Sequence, residues 1–122
     1  MMRKTILLVE DTEDTRNVMK ILLEMFGYTV IEAEDGRQAV ESAKKSHLDL
    51  ILMDISMPVM DGLTATKEIR KLKKRTEIPI IAVTAHGKQF YKRAIEAGCN
   101  DLISKPIDFN KLQPFIEQYL VR

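Results

Sequence analysis

The chain has 122 residues, a formal net charge of +1, and a composition that is 45% hydrophobic and 30% charged. This length fits one domain, the composition excludes a disordered chain, and the near-zero charge provides no overall field to attract nucleic acid or an acidic membrane. Cys99 is the single cysteine, which excludes a disulfide framework and a cysteine-rich zinc site and favours a cytoplasmic protein.

Short apolar runs alternate along the chain with stretches of helical periodicity. The runs are Ile6–Val9, Val30–Ile31, Leu50–Met53, Ile78–Val83 and Leu102–Ile103. Several are continuous rather than alternating, which is typical of strands covered on both faces. Five strands, each followed by a helix, predict an α/β fold with a mostly parallel sheet and helices on both of its faces. We expect residues 1–122 to form one domain.

Apolar positions three and four residues apart predict a helix after each run. In chain order, the predicted apolar faces are Val18, Ile21, Leu22 and Met25; Ala39, Val40 and Ala43; Ala65, Ile69 and Leu72; Phe90, Ala94 and Ala97; and Leu112, Phe115, Ile116, Tyr119 and Leu120. Glycine, which is common at helix boundaries, lies at four of the predicted ends: Gly27, Gly36, Gly62 and Gly98.

Polar side chains follow four of these strands. They are Glu10 and Asp11 after the first, Asp54 at the end of the third, Thr84 at the end of the fourth, and Lys105 after the fifth. Ligands of open α/β sheets bind beyond the carboxyl ends of the strands, so we expect these residues to meet at one edge. Carboxylates held close together repel one another, and a hard divalent ion such as Mg2+ relieves that repulsion.

The same group of residues has the chemistry that phosphoryl transfer needs. Lys105 provides a mobile positive charge, and Thr84 provides a hydroxyl donor for the oxygens of a phosphoryl group. An aspartate can itself be the nucleophile. Taken one at a time, these residues have simpler interpretations, because an acidic pair after a strand often caps the next helix. Their coincidence at the strand ends favours a functional site.

The order of these motifs resembles the receiver domain of response regulators over essentially the whole chain. The residues that carry the resemblance are Glu10-Asp11, Asp54-Ile55-Ser56-Met57-Pro58-Val59-Met60-Asp61-Gly62, Val83-Thr84-Ala85 and Lys105-Pro106. The resemblance implies a doubly wound, flavodoxin-like sheet of five parallel strands in the order 2-1-3-4-5, with five helices.

The resemblance also implies that Asp54 accepts a phosphoryl group in a Mg2+-dependent reaction. The donor would be a phosphohistidine on a partner histidine kinase or histidine phosphotransfer protein. Mg2+ would be bound by the carboxylates of Asp11 and Asp54 and by the backbone carbonyl of Ser56, with Glu10 acting mainly through metal-bound water.

Three further residues have roles implied by the resemblance. Lys105 would contact the phosphoryl group and, before its arrival, the Asp54 carboxylate. Thr84 would move toward the phosphoryl group and so report its presence. Pro106 would follow a cis peptide bond that orients Lys105. The phosphorylated chain would switch its interactions with a downstream protein target, and slow autodephosphorylation would end the signal.

One position departs from the family pattern. The family usually has Tyr or Phe three residues before the lysine, where this chain has Leu102. We expect the phosphorylation chemistry to survive, since this position contributes no polar group to it. Our hypothesis is that output uses another surface than the one formed by the fourth helix, fifth strand and fifth helix, or that it uses a change of leucine rotamer.

Other functions on the same fold remain open. A Mg2+-dependent phosphatase with an aspartyl-phosphate intermediate usually has a second carboxylate close after the nucleophile, whereas Asp54 is followed by Ile55 and Ser56. A flavin or nucleotide binder usually has a glycine-rich loop after the first strand, which here is acidic. A phosphorylation-independent interaction module would be expected to have lost an acidic or lysine position.

We therefore expect a signalling module that catalyses only its own phosphorylation and dephosphorylation. The beginning and end of the chain favour a stand-alone regulator that acts by binding proteins, with an excised receiver or a phosphorelay intermediate as alternatives. No apolar run approaches the roughly 18 residues of a membrane span. We expect no direct nucleic-acid binding, because the basic cluster has the features of a solvated helix end: Arg70, Lys71, Lys73, Lys74 and Arg75.

Overall fold

The computed structural model describes residues 3–57, 60–72 and 77–120. Its elements are β1 (Thr5–Val9), α1 (Glu13–Met25), β2 (Thr29–Ala33), α2 (Gly36–Lys45), β3 (Leu50–Asp54), α3 (Gly62–Arg70), β4 (Ile80–Thr84), a 3-10 turn (Gly87–Phe90), α4 (Tyr91–Ala97), β5 (Asp101–Ser104) and α5 (Phe109–Leu120). Pro58 and Val59 of the central motif, and Lys73, Lys74 and Arg75 of the basic cluster, lie outside the described residues.

The five strands are parallel and lie in the order β2-β1-β3-β4-β5. The predicted fold class and strand order are therefore confirmed. Helices cover both faces of the sheet. Successive residues of β1 accordingly point into two separate apolar clusters, one on each face. Leu7 and Val9 pack with α2, α3 and α4, whereas Ile6 and Leu8 pack with α1 and α5. This two-sided burial explains why the strand runs are continuously apolar.

The predicted buried face of α1 is wrong at three of its four positions, since Leu22 alone among them packs against the core. Val18, Ile21 and Met25 are 53%, 59% and 77% exposed, while Met19 and Leu23 are buried. Both sets have helical spacing, so periodicity alone did not distinguish the face that meets the sheet from the face that meets solvent. The residues of the remaining predicted helix faces belong to the two clusters or pack against them, apart from Ala97, which is buried outside them.

Two boundaries also differ from the prediction. β4 begins at Ile80 rather than Ile78, and Phe90 lies in the 3-10 turn before α4 rather than in the helix. Pro79, which has no N–H to donate to a strand ladder, explains the later start of β4. The glycine boundaries are confirmed at Gly27, Gly36, Gly62 and Gly98.

At the amino-terminal edge of the sheet, Arg70, the last residue of α3, contacts the segments that precede two of the strands. The Arg70 guanidinium donates hydrogen bonds to the carbonyls of Gly98 at 2.9 Å and Ile78 at 2.7 Å. It also donates to Asn100 Oδ1 at 2.8 Å, an oxygen that accepts the N–H of Ile80 at 2.9 Å. Arg70 therefore links α3 to the segments that lead into β4 and β5. Among the described residues, no helix is long and apolar enough to cross a membrane.

Candidate functional site

The predicted polar residues meet at the carboxyl edge of the sheet. Strand register pairs Val9 with Met53 and Asp54 with Val83, so Glu10 and Asp54 end neighbouring strands. Thr84 is paired in turn with Ser104, which precedes Lys105. The sheet thus brings residues that are far apart in sequence to one edge, as predicted.

Three carboxylates form a cluster that could hold a metal ion. Glu10, Asp11 and Asp54 each offer an oxygen atom, and these atoms all lie within 4.8 Å of one another. Asp54 and Glu10 are 4% and 5% exposed, whereas Asp11 is exposed and faces the solvent side of the cluster. An all-oxygen donor set with one open side suits a hard ion that keeps some of its water, and Mg2+ is such an ion.

The electrostatics of Asp54 favour a bound cation. Burial raises the pKa of Asp54 most, and the negative charge of Glu10 raises it further, from 3.8 to about 7. The positive charge of Lys105 and a hydrogen bond from the Ser56 N–H lower the same pKa but do not compensate. A divalent ion would favour the charged carboxylate, so the chemistry of these residues fits Mg2+.

Lys105 lies between two of the carboxylates. Its Nζ atom is 3.3 Å from Glu10 Oε1 and 3.8 Å from Asp54 Oδ2. The contact with Asp54 was implied by the family resemblance, and the closer contact with Glu10 was not. The Lys105–Pro106 peptide bond is cis, as the resemblance implied. The backbone N–H of Lys105 donates to the Thr84 carbonyl at 2.8 Å, which places the loop after β5 beside β4.

The chain directly after Asp54 is held close to it. The Ser56 N–H donates to Asp54 Oδ1 at 3.2 Å, and the Gly62 N–H donates to the Ile55 carbonyl at 2.9 Å. A Cβ atom on Gly62 would lie 2.2 Å from the Asp54 carbonyl oxygen. Only glycine therefore allows α3 to begin this close to the end of β3.

Thr84 and its loop lie beside the acidic cluster. The buried Thr84 hydroxyl accepts a hydrogen bond from the His86 N–H at 3.0 Å. The His86 ring packs against Phe90, with 5.1 Å between ring centroids. Leu102 and Phe90 are both partly buried against the same apolar cluster. The position where the family usually has an aromatic residue thus has a leucine, and an aromatic ring from the 3-10 turn packs against the same cluster.

Helix capping accounts for other acidic residues of this edge. Asp35 and Asp61 accept the N–H groups of Gln38 and Thr64, each at 2.9 Å, and so cap α2 and α3. The N-cap of α1 is Thr12, not Glu10 or Asp11. The acidic pair after β1 therefore belongs to the carboxylate cluster.

Arg16 is a residue of this region that the sequence analysis missed. It is 8% exposed on the inner face of α1, and its guanidinium donates a hydrogen bond to the Glu10 carbonyl at 2.9 Å. A signal was present in the sequence, because Arg16 has helical spacing with Met19 and Leu23. A basic residue on a buried helix face needs a specific partner.

Comparisons with known proteins agree with this geometry. The family model described as the response regulator receiver domain matches residues 6–117. The polar-differentiation response regulator DivK of Brucella ovis is 38% identical over 120 residues, which cover 98% of each chain.

Two solved structures have similar folds. One is the receiver domain of the sensor histidine kinase PA1611 from Pseudomonas aeruginosa PAO1, with a magnesium ion coordinated in its active-site cleft. It has a TM-score of 0.92 and 38% identity, and covers 99% of this chain and 100% of that one. The other is the complex of the Saccharomyces cerevisiae histidine phosphotransfer protein Ypd1 with the receiver domain of Ssk1. That match has a TM-score of 0.89 and 29% identity, and it covers 97% of this chain and 89% of the Ssk1 receiver chain.

Proposed function

This chain belongs to the response regulator receiver domain family, a class of two-component signalling modules, and on that basis we propose that Asp54 is its phosphoacceptor. The observation that carries the proposal is the position of Asp54 at the carboxyl end of the central strand β3, 3.8 Å from Lys105 Nζ and within the carboxylate cluster. Receiver domains pair with histidine kinases or phosphotransfer proteins, as in the yeast Ypd1 complex.

Glu10, Asp11 and Asp54 are proposed to hold Mg2+, together with the backbone carbonyl of Ser56. The family relationship to a receiver with magnesium in its cleft supports this assignment, as does the all-oxygen cluster. Bound Mg2+ would neutralise negative charge on the phosphoryl oxygens and on the carboxylate that attacks them. Glu10 is buried and paired with Lys105, so it would act mainly through water on the ion.

The proposed reaction transfers a phosphoryl group from a partner's phosphohistidine to Asp54. A carboxylate oxygen of Asp54 forms a bond to phosphorus while the bond from phosphorus to the imidazole nitrogen breaks, and the electron pair of that bond stays on the nitrogen. The raised pKa of Asp54 keeps part of the metal-free population protonated near pH 7. The nucleophile would therefore be fully ionised only when a cation occupies the site.

Lys105 and Thr84 are proposed to bind the transferred group. The Lys105 ammonium group would give up its contacts with Glu10 and Asp54 and bind a phosphoryl oxygen instead. This is a small movement for a partly exposed, flexible side chain. Thr84 would move and donate its hydroxyl hydrogen to a second phosphoryl oxygen, and this movement would weaken the hydrogen bond that it accepts from the His86 N–H and so change the loop that leads to the 3-10 turn. Attack of water on phosphorus would later break its bond to the Asp54 oxygen and release inorganic phosphate, and the chain would thereby complete its own slow dephosphorylation.

We further propose that phosphorylation acts on a downstream protein target and that the chain works in the cytoplasm. The buried, free Cys99 and the small net charge support a cytoplasmic protein without direct nucleic-acid binding. A phosphorelay role, in which the group passes on to a second histidine, uses the same site in reverse.

The intact mass of the protein, measured after incubation with Mg2+ and phosphoramidate, tests the acceptor. We expect one phosphoryl adduct on the wild-type protein, none in excess EDTA and none on Asp54→Ala. Asp35→Ala is the matched control, since Asp35 caps α2 at the same edge but lies outside the carboxylate cluster, and it should retain the adduct.

Three other results would contradict the proposal. An adduct that persists on Asp54→Ala would assign another acceptor. If the wild-type protein neither gains a phosphoryl group from phosphoramidate nor binds beryllofluoride, the chain would be assigned as a phosphorylation-independent binding module. Steady turnover of small phosphate esters would instead indicate the phosphatase reaction.

Amide chemical shifts with and without beryllofluoride test the role of Leu102. Since Leu102 offers no ring to follow Thr84, we expect large shifts around Asp54 and Thr84 and smaller ones over β5 and the outer surface of α4. Leu102→Tyr, which restores the usual residue type, should enlarge the shifts in that region. Shifts over residues 88–105 that already equal those near Asp54 in the wild-type protein would contradict a changed output surface.

A further inference from the structure

Arg16 is a buried cation with three partners, none of which lies on its own helix. Its Nη1 group donates to the Glu10 carbonyl at 2.9 Å, its Nε atom lies 3.4 Å from Glu32 Oε1, and its Nη2 atom lies 3.5 Å from Glu34 Oε1. The side chain is 10% exposed. Removing a guanidinium from water is costly unless its donors are satisfied, and the Glu10 carbonyl and the two carboxylates together offset that cost.

The contact with Glu10 constrains the turn that carries two of the carboxylates. The Glu10 N–H donates to the Ala33 carbonyl at 3.1 Å, and the Glu10 carbonyl accepts from Arg16. That carbonyl lies in the planar peptide that joins Glu10 to Asp11. Holding this carbonyl therefore holds the orientation of the peptide unit from which the Asp11 backbone continues.

We propose that Arg16 is a positioning residue of the Mg2+ site, holding the turn between β1 and α1 so that the Glu10 and Asp11 carboxylates converge with Asp54. The inference rests on the proposed function, because it assumes that this cluster binds the ion. Glu32 lies in β2 and Glu34 directly after it, so the edge strand supports the site through the Arg16 guanidinium as well as through the Ala33 carbonyl.

The charge of Arg16 and its proposed positioning role predict opposite effects on Mg2+ affinity when the residue is replaced. A positive charge beside a cation site opposes binding of the cation, so loss of Arg16 would tighten Mg2+ binding if charge alone mattered. If Arg16 positions the turn, its loss weakens binding instead. Arg16→Lys keeps the charge but not the planar fork, so only the positioning role predicts weaker binding for this variant.

Isothermal titration of Mg2+ into the metal-free protein gives the readout. Groups that orient metal ligands typically change metal affinity by 10- to 100-fold, so we expect the Mg2+ Kd to rise about 10-fold in both Arg16→Met and Arg16→Lys. The matched control is Lys20→Met, because Lys20 pairs with the same Glu32 at 3.3 Å but makes no contact with Glu10 in the described structure. Its Kd should stay within about 2-fold of the wild-type value.

Unfolding of each variant in EDTA separates positioning from general stability. A lower stability with an unchanged or lower Mg2+ Kd would overturn the inference and leave Arg16 a structural residue. If Arg16→Met does not fold, Arg16→Lys decides alone, and an unchanged Kd for it overturns the inference. Failure of the wild-type protein to bind Mg2+ would instead overturn the proposed metal site, and the inference with it.

Discussion

In the absence of Mg2+, Asp54→Asn should be more stable than the wild-type protein at pH 8 by about 2–4 kcal/mol. The pKa of Asp54 is raised to about 7 in the folded protein, above its ordinary value of 3.8. Each pKa unit corresponds to about 1.4 kcal/mol of preference for the protonated form. Asparagine keeps the shape of the side chain but has no charge to bury, so it avoids the cost of ionising the carboxyl group.

The pH dependence has a defined sign. A group whose pKa is raised on folding contributes its full stability below the unfolded pKa, and this contribution is lost as pH rises through the folded pKa. The wild-type protein in EDTA should therefore lose stability between about pH 4 and pH 7, and the loss should be smaller in Asp54→Asn. Urea unfolding at several pH values measures the loss of stability in the wild-type protein and in Asp54→Asn.

Asp35→Asn is the control, because Asn and Asp cap a helix equally well and this change should alter stability by less than about 0.5 kcal/mol. Saturating Mg2+ should stabilise the wild-type protein more than Asp54→Asn, since a ligand stabilises the state that binds it. A variant that is less stable than the wild-type protein in EDTA at pH 8 would contradict the assigned electrostatics.

Gly62→Ala should impair both stability and phosphorylation. The added Cβ would lie 2.2 Å from the Asp54 carbonyl oxygen, where ordinary contact begins near 3.4 Å, so backbone must move by about 1 Å. Overpacking of this kind typically costs about 1–3 kcal/mol, and we expect a loss near the upper end because the opposing atoms are backbone. A displacement of about 1 Å at the reacting group can lower a rate about 100-fold, so phosphoryl incorporation should fall by about that factor.

Gly27→Ala separates the two effects. Gly27 has a φ of +97°, so alanine is strained there, but a Cβ would meet no atom within 4 Å. We expect a loss of about 1 kcal/mol with an unchanged phosphorylation rate. Denaturant unfolding and the time course of the mass adduct measure these quantities. A Gly62→Ala protein that is phosphorylated at the wild-type rate would show that the close approach of α3 does not position Asp54.

The strand ends were predictable because a parallel sheet has a simple geometry. Asp54, Thr84 and Lys105 end or follow apolar runs, and parallel strands bring such positions to one edge. The exposed face of α1 was not predictable from spacing, since Val18 and Met19 each begin an apolar series of helical period. Only the sheet, through Ile6 and Leu8, selects the series that becomes buried.

Pairings between side chains were harder to predict than positions. The contact of Lys105 with Glu10 depends on the rotamer of a long side chain that lies between two carboxylates at similar distances. The role of Arg16 depends on a carbonyl direction, which no residue pattern encodes. These contacts depend on the tertiary arrangement of the backbone, so rules based on local sequence do not predict them.

The Arg70 network has a consequence for how the protein opens locally. Its hydrogen bonds join α3 to the starts of β4 and β5, at the edge opposite the carboxylates. Opening of that edge must break several hydrogen bonds to one guanidinium. Rearrangement of the loop between Thr84 and Phe90 must break the hydrogen bond from the His86 N–H to the Thr84 hydroxyl and shift the packing of the His86 and Phe90 rings. Amide hydrogen exchange should therefore be slow at Ile80 and fast at His86. A sheet anchored at one end lets the loops at the other end sample new conformations without loss of the fold.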